Sequence, residues 1–182
     1  MDSLVPKPYI TADYASHNGM NGDNINDIYV DGGDRIWLAN YPAGVTIRNN
    51  RYQSYEWFRH SPGNSRSLVN DQVHDVIEDS EGDLWFATSN GISLLQPAVG
   101  RWRSFLSRSD GIQDGGNHIF LTLCEVSPGV ICAGGYASGL YRIEKKTGRV
   151  EYFPPSFAAE GRPDQYLSLI HISEPTRLRR IS

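Results

Sequence analysis

A protein that does chemistry needs paired carboxylates, an activated nucleophile, a cluster of metal ligands, or a set of groups that grip a ligand. The carboxylates of this chain crowd into Glu78–Asp83 (EDSEGD). Glycoside hydrolysis wants two carboxyl groups held apart across a sugar. A run this tight around Gly82 reads instead as a solvated hairpin turn. His60, His74 and His118 have no ligand partners at metal spacing. Neither a catalytic set, nor a metal site, nor a cofactor motif is therefore assigned. Cys124 and Cys132 flank the turn Ser127-Pro128-Gly129 and stand about opposite each other across a hairpin. A cross-strand disulfide in an oxidising compartment and a pair of buried small apolar side chains are both open. Groups suited to gripping a sugar are more plentiful. Planar amides and aromatic faces bind sugars, and Asn40, Tyr41, Asn90, Asn117 and Tyr136 supply both. Arg66 and Asp110 add charge suited to uronic or sulfated sugars.

The elements that must position these groups repeat. Asn26–Ile47 (NDIYVDGGDRIWLANYPAGVTI) is followed by the similar His74–Leu95 (HDVIEDSEGDLWFATSNGISLL) and the weaker Phe120–Ile143 (FLTLCEVSPGVICAGGYASGLYRI). Trp37 and Trp85 are 48 positions apart, Cys132 stands 47 further on, and Phe58, Phe105 and Phe153 are spaced 47 and 48. Such a period marks a repeat architecture. In the second copy Val73–Glu78, Leu84–Thr88, Ile92–Leu95 and Arg101–Leu106 read as short strands. Asp79–Asp83, Ser89-Asn90-Gly91 and Pro97–Gly100 break the chain between them. Gly82 and Gly91 supply the backbone freedom those turns need. No segment carries a helical apolar stripe.

Four antiparallel strands in a repeat of this length make a β-propeller blade. The fold class is all-β: a β-propeller fragment of about three four-stranded antiparallel blades in an incomplete ring. Residues 1–25 are assigned to the end of a preceding blade or a connector, with Pro6–Thr11 a candidate outer strand. Residues 26–58, 59–106 and 107–157 form three blades, and 158–166 a linker. Trp37, Trp85, Phe58, Phe105 and Phe153 are expected to fill the wedges between blades. An unclosed array exposes blade faces and strand edges, so the chain is expected to fold poorly alone.

Alternating strand direction puts the turns between second and third strands on one face with the connections between blades. Those connections, Arg59–Asp71 and Ser107–His118, are long and polar, and long loops on a rigid scaffold are where binding groups gather. Asn40-Tyr41-Pro42-Ala43, Ser89-Asn90 and Gly135-Tyr136-Ala137 join them. The net charge of −4, with mixed and scattered signs, gives no nucleic-acid footprint. No apolar run is long enough to span a bilayer. Met1–Thr11 has no apolar core of a signal peptide.

Leu167–Arg177 (LSLIHISEPTR) breaks the pattern and resembles the forward translation of a transposase-based sequencing adapter. Residues 167–182 are therefore set aside as a non-native tail, and His171, Arg177, Arg179 and Arg180 with them.

Ser61–Leu95 (SPGNSRSLVNDQVHDVIEDSEGDLWFATSNGISLL) resembles the two-component regulator propeller repeat. Gly139–Phe153 (GLYRIEKKTGRVEYF) resembles its outer half. Trp37–Asn50 and Phe120–Val130 look like the sensor regions of hybrid two-component systems of Bacteroides-type gut bacteria. The resemblance covers Ile25 to Tyr166 and is looser in the third blade, which lacks the acidic turn and the Trp. It implies a periplasmic sensor that recognises glycan fragments, acts as a homodimer, and signals to genes of polysaccharide use. In that family a membrane helix, a histidine kinase, a receiver and a helix-turn-helix domain follow. None of them lies in this chain, so no phosphotransfer is expected of it. The partners it implies are a glycan or other small periplasmic ligand and the rest of the propeller and parent sensor. A free-standing carbohydrate-binding or sialidase- or lyase-like propeller is one alternative, and a protein-docking propeller another. The sialidase turn pattern Ser-x-Asp-x-Gly-x-x-Trp is not met, because Asp79-x-x-Gly82-x-x-Trp85 has its Asp displaced by one.

Overall fold

A computed structural model describes residues 19–108 and 117–154. They form twelve strands in three antiparallel sheets. The first sheet runs β1 (Ile25–Val30), β2 (Arg35–Asn40), β3 (Gly44–Asn49) and β4 (Ser54–Phe58). The second runs β5 (Val73–Glu78), β6 (Leu84–Thr88), β7 (Gly91–Gln96) and β8 (Arg101–Phe105). The third runs β9 (Phe120–Ser127), β10 (Val130–Gly135), β11 (Gly139–Glu144) and β12 (Val150–Phe153). Each sheet is a meander in chain order. β1 packs beside β5, and β5 beside β9, so the first strands line the inside and the fourth strands the rim. Three such sheets side by side are blades of an incomplete β-propeller.

The packing follows from alternation along the strands. Every residue of β6 is buried, because the middle blade is covered on both sides. Leu84 and Phe86 face the first blade and join Trp37, Ala39, Val45, Ile47, Val73 and Val76. Trp85 and Ala87 face the third and join Ile92, Leu94, Phe105, Phe120, Leu123, Ile131 and Tyr141. Trp37 stacks on Phe58 with ring centroids 6.1 Å apart, and Trp85 on Phe105 at 5.3 Å. Each buried ring contributes roughly 1.5–3 kcal/mol. Phe153, in the same column, is 48% exposed. It pairs with Leu140 on the side of the third blade that no described blade covers. Among the described residues, the side of the first blade away from the second is likewise uncovered, and it is apolar, with Ile28 and Val30 more than half exposed.

The acidic turn is not solvated as the sequence suggests. Asp79 and Asp83 are buried. Asp79 Oδ1 accepts from the backbone N–H of Glu81 at 2.9 Å and of Asp83 at 3.0 Å, and Oδ2 accepts from the Trp85 indole at 2.9 Å. Asp31 repeats this in the first blade, accepting from Gly33 N at 2.8 Å, Arg35 N at 3.1 Å and Trp37 Nε1 at 3.0 Å. The carboxylate therefore closes the turn and aims the indole into the wedge. Lys145, in the β11–β12 turn and only 3% exposed, crosses from the third blade. Its Nζ lies 2.6 Å from Asp79, 2.7 Å from Glu81 and 2.7 Å from Asp83.

Candidate ligand-binding face

The turns between second and third strands are stitched to the segments that lead into first strands. Tyr41 N donates to Asn24 O at 2.9 Å, Ser89 N to Gln72 O at 3.0 Å, and Tyr136 N to Ile119 O at 2.8 Å. Gly44 N donates to Asp71 O at 2.7 Å and Gly91 N to His118 O at 2.8 Å, which link each turn to the connection into the next blade. These turns and connections therefore share one face. Gly44 and Gly91 take φ of +81° and +105° there. A Cβ at Gly91 would lie 2.8 Å from Phe105 O. Side-chain hydroxyls pin the connections too: Thr46 Oγ1 accepts from Asn21 N at 3.1 Å, and Ser93 Oγ from Val69 N at 2.9 Å.

All three first strands break register at the same place on this face. The ladder skips Asn26, His74 and Leu121, leaving each as the extra residue of a β-bulge. Bulges re-aim side chains and recur beside functional sites. Asp27 and Asp75 follow the first two bulges and tie the inner strands together. Asp27 Oδ2 accepts from Val76 N at 3.0 Å, and Asp75 Oδ2 from Leu123 N at 2.7 Å.

His74 is the centre of a small polar cluster. Its Nε2 is 2.8 Å from Ser89 Oγ, its Nδ1 is 3.4 Å from Asn26 Nδ2, and its ring lies 5.6 Å from the Tyr41 ring. Asn26 Nδ2 also donates to Val73 O at 2.9 Å, which identifies that atom as the amide nitrogen. His74 Nδ1 then accepts, and Nε2–H donates to Ser89. In that tautomer the imidazole is not a base toward Ser89, so the pair does not make an activated nucleophile. Burial pushes the His74 imidazole below its ordinary value, keeping it neutral at pH 7. A neutral ring, a hydroxyl, an exposed amide and a tyrosine face suit hydrogen bonding and stacking against a polar, uncharged ligand.

The residues singled out from the sequence divide on this face. Tyr41 sits against His74. Tyr136 presents an exposed ring, and its carbonyl accepts from Asn117 Nδ2 at 2.6 Å. The Asn117 Oδ1 accepts from Ile119 N at 3.1 Å, so its amide holds the turn. Asn90 is half-buried beside Ser89, with Oδ1 accepting from Arg108 N at 3.4 Å. Asn40 is fully buried: Nδ2 donates to Gly22 O at 3.2 Å and Oδ1 accepts from Thr46 Oγ1 at 2.8 Å. That amide is committed to the scaffold. Arg66 is exposed in the connection between blades, and no hydrogen bond or ring contact joins it to the His74 cluster. Asp110 lies outside the described residues. Asn26, His74 and Ser89 were missed as a set. The signal was the column Asn26-Asp27 and His74-Asp75, in which a polar residue precedes an Asp at the start of two strands.

The second blade matches the family model described as the two-component regulator propeller, over residues 67–90. No curated protein matches the chain. Among solved structures the chain resembles extracellular domains of two hybrid two-component systems of B. thetaiotaomicron. With BT3049 the TM-score is 0.69 at 23% identity, over 80% of this chain and 20% of that one. With BT4673 it is 0.59 at 21% identity, over 77% and 18%. An ancestral GH74 enzyme scores 0.51 at 13% identity, over 73% and 18%. At these identities the likeness establishes the fold, and the chain spans about a fifth of the length of those domains. The chain is thus a run of β-propeller blades. Its second blade carries the two-component regulator propeller repeat.

Proposed function

We propose that this chain is part of the extracytoplasmic ligand-sensing propeller of a hybrid two-component sensor, responsive to glycan fragments. The observation that carries the reading is the regulator repeat at 67–90. The likeness of all three blades to extracellular domains of such systems supports it. In this reading the chain is periplasmic and works by binding, not catalysis. Ligand on the His74 face favours one arrangement of a paired sensor, and the bias reaches a kinase beyond the membrane. Such coupling requires that the ligand bind the two arrangements with different affinity. The neutral His74–Ser89–Asn26 cluster with Tyr41 favours neutral oligosaccharides over charged ones.

Two measurements test this. A long sequencing read through the codon for Tyr166 is expected to run on through more repeats to a membrane helix and a kinase. A stop after a few further blades would sink the sensor reading. Saturation-transfer NMR with neutral and uronic oligosaccharides is expected to show transfer to the neutral set, weakened by Tyr41→Ala. Transfer untouched by that change would put the ligand elsewhere.

A further inference from the structure

The third blade differs from the other two at one pair of positions. Opposite each other on the first and second strands, and facing the next blade, stand Tyr29 and Trp37 in the first blade. Ile77 and Trp85 hold these places in the second, and Cys124 and Cys132 in the third. Directly opposed residues of an antiparallel ladder point to the same face, with Cα atoms about 4.5–5.5 Å apart. A disulfide spans Cα separations of about 4.4–6.8 Å. The register is unbroken from Ile131 to Gly134, so the pair sits in regular ladder and not at a bulge. Both thiols are free and half-buried. They lie on the side of the third blade that no described blade covers, beside Arg142, the next residue across the sheet from Cys132.

We propose that Cys124 and Cys132 form a redox modification site, closed as an intramolecular cross-strand disulfide by a small disulfide oxidant and reopened by a dithiol. One thiol loses its proton and attacks a sulfur of the oxidant, whose disulfide breaks and releases one thiolate. The second cysteine, deprotonated in turn, attacks the mixed disulfide at the protein sulfur and displaces the other thiolate. Two electrons pass to the oxidant, which leaves as two thiols carrying the two protons. Burial pushes both thiols up, so closure is slow near neutral pH and quickens as the pH rises. The bridge fastens the β9–β10 hairpin at the place where the other blades use a large ring. This site does not depend on the sensor reading.

The test uses the chain under conditions where circular dichroism shows it folded, equilibrated with oxidised and reduced glutathione, then quenched with iodoacetamide in denaturant. Trypsin releases Ser109–Arg142, which holds both cysteines, and cleavage after Glu125 separates them. The expected product is a peptide lighter by two hydrogens, unalkylated, whose halves stay joined until reduced. Cysteines this close in sequence also pair in an unfolded chain, so the comparison is with the same equilibrium in urea. Native closure is expected to be favoured by roughly tenfold or more over the urea value. Equal or weaker closure in the native chain would overturn the proposal, as would a glutathione adduct on each cysteine without a bridge. Cys132→Ser is expected to leave Cys124 carrying a single glutathione. A variant that stays unmodified under the same treatment would also count against the site.

Discussion

At the scale of single residues, Lys145 is costly to lose. Desolvation works against its charge, yet Asp79, Asp83 and Glu81 outweigh it and raise its pKa. Desolvation likewise pushes the Asp79 carboxyl up, and the Lys145 ammonium, the Trp85 indole and the Asp83 amide more than reverse it, holding it below the ordinary carboxylate value. Removing one partner of a buried pair leaves an uncompensated charge. Lys145→Met is expected to cost about 3–5 kcal/mol in urea unfolding. Asp79→Asn in that background should cost much less than it does alone, and equal costs would mean that the two do not interact. The Asp79 contribution is full above the ordinary carboxylate pKa and disappears as pH falls through its lowered one. His74 has the same sign in a different window. Its folded pKa is lowered, so folding disfavours the proton. Stability should fall as pH drops below about 6.5, and His74→Gln should flatten that slope in urea midpoints measured against pH.

At the scale of elements, the turns on the ligand face rest on glycines that a side chain would break. Gly91→Ala places a Cβ 2.8 Å from Phe105 O and 2.9 Å from Ser107 Cα at a φ of +105°. Gly100 also has positive φ, at +61°, but a Cβ there would meet nothing within 4 Å. Gly100→Ala is therefore expected to cost about 1–2 kcal/mol from backbone strain alone, and Gly91→Ala clearly more. Equal urea midpoints would show that the contact with Phe105 does not matter. Strands and their order were legible in the sequence because turn residues and alternating apolar residues are local signals. The second blade falls at Val73–Glu78, Leu84–Thr88, Gly91–Gln96 and Arg101–Phe105, within a residue or so of its reading. The burial of Asp79 was not legible. Part of what covers it is Lys145, 66 positions away, and nothing in EDSEGD announces a buried cation from another blade. The His74 cluster was hidden for a like reason. A bulge is a property of pairing with β6, so the sequence shows His74 only as an alternating residue of a strand. Asn40 is buried where the sequence suggested an exposed amide, because the outward end of a strand looks exposed until the preceding segment, through Gly22, covers it.

At the scale of the whole molecule, the two ends of the array differ in kind. The free side of the first blade is apolar, with Met20, Ile25, Ile28, Val30, Ile36 and Leu38 around Arg48. The free side of the third carries Cys124, Cys132 and Arg142, with Arg142 paired to Glu144 and Glu151 at 3.2 Å and 3.1 Å. Stacked repeats gain stability from the interface each neighbour supplies. The middle blade has two such interfaces and each outer blade has one among the described residues. Amide exchange should therefore be slowest in β6 and β7, faster in β9–β11, and fastest in β1 and β2, whose outer face is apolar and uncovered among the described residues. The Lys145 bridge and the Arg103 guanidinium, which donates to Lys145 O at 2.8 Å, bind the third blade to the second. Tyr29 and Glu78 make the matching hydrogen bond between first and second, without a buried cation. That difference sets the order of the two outer blades. The apolar free face should also drive self-association, so sedimentation is expected to show species heavier than a monomer as concentration rises, reduced by Ile28→Lys with Val30→Lys. Uniform protection across all three blades in a chain that sediments as a monomer would mean that three blades are stable without their neighbours, and that the expectation of poor folding alone is wrong.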